Sequence, residues 1–88
     1  MEVQWTDSAS EHGVPRAQVL YAISHAEGED EIEGFPGETT RVFVGRPNEV
    51  DEVYLEVIVA HRPGRYLRVF HVNYLTEKFR YVIQKESR

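Results

Sequence analysis

The sequence predicts an α+β domain: N-terminal helices packed on a mainly antiparallel sheet of three to four strands, followed by a C-terminal helix. Three observations predict it. Residues Pro15–His25 place Val19, Leu20 and Ile23 on one face at helical spacing. Segments 39–45, 52–61 and 66–73 alternate apolar and polar residues with period two. The last segment places Leu75, Phe79, Val82 and Ile83 on one helical face behind Thr76, an acceptable N-cap, although Phe79, Tyr81 and Ile83 also alternate as a strand does.

Val3-Gln4-Trp5 reads as a short opening edge strand. Ser8-Ala9-Ser10-Glu11 matches a capping box, in which Ser and Glu satisfy backbone donors at a helix start, and His12-Gly13 stops that turn. Pro15 suits a first helical position because its missing N–H is not needed there. Gly28 is the expected stop of the main helix. Five carboxylates then crowd residues 27–33, ahead of Gly34-Phe35-Pro36-Gly37, and their repulsion predicts an acidic, mobile loop. Arg46-Pro47-Asn48-Glu49 and Pro63-Gly64 are turns between strands.

Length and composition set the limits. Eighty-eight residues form one domain, 1–88, with a single core. The absence of cysteine excludes disulfide scaffolds, thiol catalysis and cysteine-based zinc sites. The start of the chain lacks the basic and apolar regions of a signal peptide. The longest apolar run, Val57–Ala60, is far too short to span a membrane, so a cytoplasmic protein without membrane contact is expected. The net charge of −5 conceals an asymmetry. Residues 1–60 carry 3 basic and 13 acidic side chains, whereas residues 61–88 carry 7 basic and 2 acidic ones. Such a split points either to a nucleic-acid or charged-partner surface on the basic part, or to halves that neutralise each other across the sheet.

Closing the hairpin tightly at Pro63-Gly64 sets His61 opposite Tyr66. One face then holds Val53, Leu55, Val57 and Val59 with Arg68, Phe70, Val72 and Tyr74, and packs against the helix. The other sets Glu56 directly opposite His71 and Tyr54 opposite Asn73. Directly opposed side chains lie within hydrogen-bonding reach. A carboxylate there fixes the imidazole tautomer and favours its protonated form, which suits acid–base work; the plain alternative is one cross-strand ion pair on a half-exposed face. A three-residue loop would instead bring Val57 opposite His71 and remove the pair. His12, His25, His61 and His71 match no metal-ligand spacing, and neither metal nor cofactor is expected. Between Arg65 and Tyr81 basic and aromatic residues interleave, as in surfaces that hold phosphates and stack unpaired bases.

Glu11-His12-Gly13-Val14, leading into a helix, resembles the His-Gly-Val entry of BrnT-type ribonuclease toxins. The run from Arg68 to Arg80 resembles their closing segment, with Arg68, Thr76 and Arg80 matching. His71-Val72-Asn73 stands where the family has Ser-Ala-Arg, and Phe79 replaces the helix glutamate. The resemblance implies a compact RelE-like fold, metal-independent RNA cleavage and a cognate antitoxin partner. Carried onto this chain, the catalytic set is His71 as acid or base, Glu56 orienting it, and Lys78 and Arg80 on the phosphate. Arg68, Tyr74, Arg65 and Tyr66 form the RNA-binding set. Two other readings stand beside it: a non-catalytic interaction module of the same fold, and a homodimer joined through an edge at Thr39–Gly45.

Overall fold

The computed structural model of the protein describes residues 2–84. Five strands form one sheet: β1 (Glu2–Trp5), β2 (Gly28–Ile32), β3 (Thr39–Gly45), β4 (Leu55–Arg62) and β5 (Tyr66–Tyr74). Their order is β1-β5-β4-β3-β2, with β1 parallel to β5 and every other pairing antiparallel. The single α-helix among the described residues, α1, spans Arg16–Ser24. Two 3-10 turns, Asp7–Ser10 and Glu77–Val82, complete the domain.

This corrects the expected fold. The sheet has five strands instead of three to four, it is mixed, and neither a second N-terminal helix nor a C-terminal helix forms among the described residues. The RelE/BrnT-like architecture is therefore not the one observed.

Each difference has a local cause. The capping box does not close: Thr6 caps the first turn, its Oγ1 accepting from the Ala9 N–H, while the Ser8 hydroxyl donates to the Phe70 carbonyl at 2.7 Å. At the C-terminal end, Thr76 occupies the N-cap position but makes no capping bond, because its hydroxyl donates to Glu56. Only a six-residue 3-10 helix follows, and its period of three stacks Phe79 and Val82 on the same side, where both are buried. Any continuation through Lys85 lies outside the described residues.

The acidic segment is a strand. Gly28, predicted to stop the helix, opens β2, whose side chains alternate in burial. Arg41 on the neighbouring strand stands between Glu29 (3.5 Å) and Glu31 (4.0 Å), and Tyr81 donates to Asp30 at 2.6 Å. These partners relieve the repulsion that predicted a loop. β3 is consequently paired on both sides, so Thr39–Gly45 is not an edge through which copies could join.

Both faces of the sheet are packed. On one, α1 contributes Val19 and Ala22 to a cluster with Leu55, Val57, Val59, Val69 and Val72. Leu20, predicted to face inward, is exposed, as is Val53, which lies outside β4. On the other face, Phe79 and Val82 cover Val42, Val44 and Ile58.

The β4–β5 register differs from the expected one twice. The loop has three residues, with Arg62 opposite Tyr66 and Gly64 at φ +77°. Val59 pairs with Val69 but Ile58 pairs with His71, so Phe70 is the extra residue of a β-bulge. Arg68 therefore lies opposite Ala60, on the face away from α1, and not on the helix-packed face.

Candidate functional site

Beyond the bulge, His71 and Glu56 return to the same face. Glu56 pairs with Asn73 and His71 with Ile58, so the two side chains meet diagonally. His71 Nε2 lies 2.8 Å from Glu56 Oε2. The other carboxylate oxygen, Oε1, accepts from both the Thr76 backbone N–H and the Thr76 hydroxyl, each at 2.7 Å. Thr76 is brought there because the Leu75 N–H donates to the Tyr54 carbonyl as the chain leaves β5.

Glu56 is 2% exposed on a central strand. Burial alone pushes its carboxyl pKa up, but the hydrogen bonds from His71 and Thr76 outweigh burial and hold it below the ordinary carboxylate value. The group is thus a carboxylate, which can only accept. Nε2 of His71 must then carry a proton, and in the neutral ring the lone pair sits on Nδ1. The His71 side chain is 35% exposed, and no donor or acceptor among the described residues engages Nδ1. The arrangement is an oriented imidazole with one nitrogen fixed in the sheet and the other available for proton transfer.

The remaining predicted residues divide into two groups. Lys78 and Arg80 lie on the closing 3-10 turn, just after Thr76; the Lys78 ammonium sits over the Phe79 ring at 5.4 Å, and Arg80 is 3.7 Å from Glu77. Tyr74 is exposed at the end of β5 and lies opposite Leu55. Arg65 and Tyr66 are at the far end of the hairpin; Tyr66 is five residues, about 16 Å, from His71 along the strand. Arg68 stacks over the Tyr66 ring at 4.5 Å, donates to Gln4 at 3.1 Å and pairs with Glu38 at 3.3 Å. Tyr66 also donates to Glu38. Tyr54, predicted opposite Asn73, donates instead to Glu27 at 2.8 Å.

Sequence reasoning missed Thr76 and Glu38. Thr76 looked like a helix cap, and Glu38 follows Gly37, beyond the acidic run, with no partner near it in the chain. It also missed an open groove of about 480 Å³ on the Glu56–His71 face. Ile58 and Ala60 form its floor, with Ile32, Phe35 and Phe70 around them and the Glu38–Arg68 pair at one end. The groove abuts the Glu56–His71 pair, since Ile58 is the cross-strand partner of His71 and Phe70 its chain neighbour. No helix among the described residues is long and apolar enough to cross a membrane.

No family model, no curated protein and no solved structure matches the chain.

Proposed function

We propose that the protein is a small endoribonuclease, of the kind found in toxin–antitoxin pairs, that cleaves RNA without a metal. The observation that carries this reading is the His71–Glu56–Thr76 arrangement: an ionised, buried carboxylate holding one imidazole nitrogen while the other stays accessible. In this reading Nδ1 of His71 removes the proton from a ribose 2′-OH. The oxygen attacks the adjacent phosphorus, the bond to the 5′-oxygen breaks as that oxygen takes up a proton from water, and a 2′,3′-cyclic phosphate and a 5′-hydroxyl result. Lys78 and Arg80, on the turn that follows Thr76, supply positive charge for the phosphate. The two stretches that resemble BrnT-type toxins support the same activity and a cognate antitoxin as partner.

The test is incubation of RNA with the purified protein and with His71→Ala. Cyclic-phosphate ends produced by the wild type and not by the variant are expected. Equal cleavage by both, or none by either, overturns the reading.

One set of contacts favours a second reading, a non-catalytic interaction module. Arg68 is paired with Glu38, Arg80 with Glu77, Arg46 with Glu27, and Arg41 with two glutamates. Cations balanced in this way give up much of the field that attracts a phosphate chain. Co-purification of a small partner protein by a chain without nuclease activity decides for this reading.

A further inference from the structure

The groove next to His71 is built from parts that the proton-transfer chemistry does not use. Its floor and sides are mainly apolar, with Glu33 and Thr40 also on the lining, and its volume falls within the range of about 300–1,000 Å³ typical of small-molecule sites. At one end lies a charged pair fixed by the fold. The Glu38 side chain is only 9% exposed. Its Oε2 receives the Tyr66 hydroxyl and the Arg68 guanidinium, whereas no donor among the described residues reaches Oε1. Arg68 is held through Nε by Gln4 and through one terminal nitrogen by Glu38. Its second terminal nitrogen has no hydrogen-bond partner among the described residues.

The order of these groups selects a ligand. A carboxylate beside a guanidinium matches an edge that presents adjacent N–H donors followed by an acceptor. Guanine carries that sequence in N2–H, N1–H and O6. Adenine and cytosine each present one amino N–H beside a ring-nitrogen acceptor, and uracil a single N–H between two oxygens, so each gives the free Glu38 oxygen one donor where guanine gives it two. Phe35, 77% exposed on the β2–β3 connection, and Phe70, the bulge residue, supply rings against which a base can pack. Ile58 and Phe70, which line the groove, are the cross-strand partner and the chain neighbour of His71, so a base seated there lies near the imidazole.

We infer that the groove lined by Ile58, Ala60, Phe35 and Phe70 is a guanine-binding subsite, in which Glu38 accepts the base N–H groups and Arg68 donates to O6. The ligand class rests on the RNA-cleaving reading; the test does not.

Guanosine, adenosine, cytidine and uridine 3′-monophosphates are titrated into the full chain, with binding followed by calorimetry and by the NMR shifts of Ile32, Ile58 and Ala60. The guanosine nucleotide is expected to bind at least about tenfold more tightly than the other three and to move those three residues. Glu38→Gln, which keeps the size but replaces an acceptor by a donor, should abolish the preference. Phe35→Ala, at an exposed position that leaves the core intact, should weaken binding of the guanosine nucleotide several-fold. Equal binding of all four nucleotides, no binding at millimolar concentration, or shifts confined to residues outside the groove overturn the inference. Guanosine binding with no RNA cleavage leaves the subsite standing and removes the nuclease reading. Cleavage by a protein that shows no base preference does the reverse.

Discussion

Glu56 and His71 are joined by a 2.8 Å hydrogen bond although neither is the other's cross-strand partner. The contact is diagonal, and the bulge at Phe70 makes it possible. With a three-residue loop and an unbroken ladder, His71 would face Val57, on the opposite side of the sheet from Glu56. One extra residue restores the common face.

Deleting Phe70 should therefore preserve the pair. Val59 would still face Val69 and Ile58 would still face His71, so the ladder closes without a change of face. The expected outcome is an intact sheet in which the His71 ring keeps its NMR contacts to the Glu56 side chain. Lost packing of Phe70 should cost about 1–3 kcal/mol in urea unfolding. A His71 ring moved away from Glu56 would show that Phe70 is not the extra residue of the ladder.

Glu56→Ala removes the acceptor of three hydrogen bonds in a buried position and leaves the Thr76 N–H without its partner. Destabilisation of about 2–3 kcal/mol is expected by urea denaturation. A change below about 0.5 kcal/mol would show that the carboxylate contributes nothing net to the fold.

The two Thr76 contacts can be separated. Thr76→Ser keeps both the backbone donor and the hydroxyl, whereas Thr76→Val keeps the shape and loses the hydroxyl bond to Glu56. Stability should fall by about 1–2 kcal/mol in the valine variant and by less in the serine variant. Equal losses in both would mean that the hydroxyl bond is not what matters.

The lowered pKa of Glu56 fixes a pH dependence. In the window between its folded value and its ordinary value of 4.5 the unfolded chain binds the extra proton, so stability rises with pH there. The contribution is fully present above pH 4.5 and is lost as pH falls through the folded value. The stability difference between wild type and Glu56→Gln should accordingly shrink on acidification below that point. A difference that stays constant or grows in acid contradicts the assignment.

Helix α1 rests on β3 where Gly45 leaves room. A Cβ at that position would stand 2.4 Å from the Ala22 carbonyl oxygen and 3.1 Å from the Ala26 Cα, both backbone atoms. Gly45→Ala should lower stability by about 1–3 kcal/mol, measured as a drop in Tm. An unchanged Tm would mean that α1 is free to lift from the sheet.

The strands of the central hairpin could be read directly, since alternation marks β3, β4 and β5 and Pro63-Gly64 marks the turn. The Glu56–His71 pair was also legible, but through a register that the fold does not use. Nothing in Phe70 announces a bulge, because phenylalanine is an ordinary strand residue. β2 was hidden for a physical reason. Carboxylates at Glu29 and Glu31 repel one another along the chain, and the arginine that relieves them comes ten residues later. Thr76 was misread because a hydroxyl that can cap a turn can equally serve a buried carboxylate, and only the tertiary fold places Glu56 within reach. The charge split had two readings, and contacts for the second are present: Glu38 with Arg68 and Tyr66, Asp30 with Tyr81, and Glu56 with His71 all join the acidic part to the basic part.

β2 closes the sheet on one side, and its outer backbone groups have no neighbouring strand among the described residues. Such a border invites a second chain to zip on. Here it carries a row of carboxylates, so a copy arriving with its own β2 meets like charge at neutral pH. The acidity that made the segment look unfit for a strand is what allows a strand to stand bare at the rim.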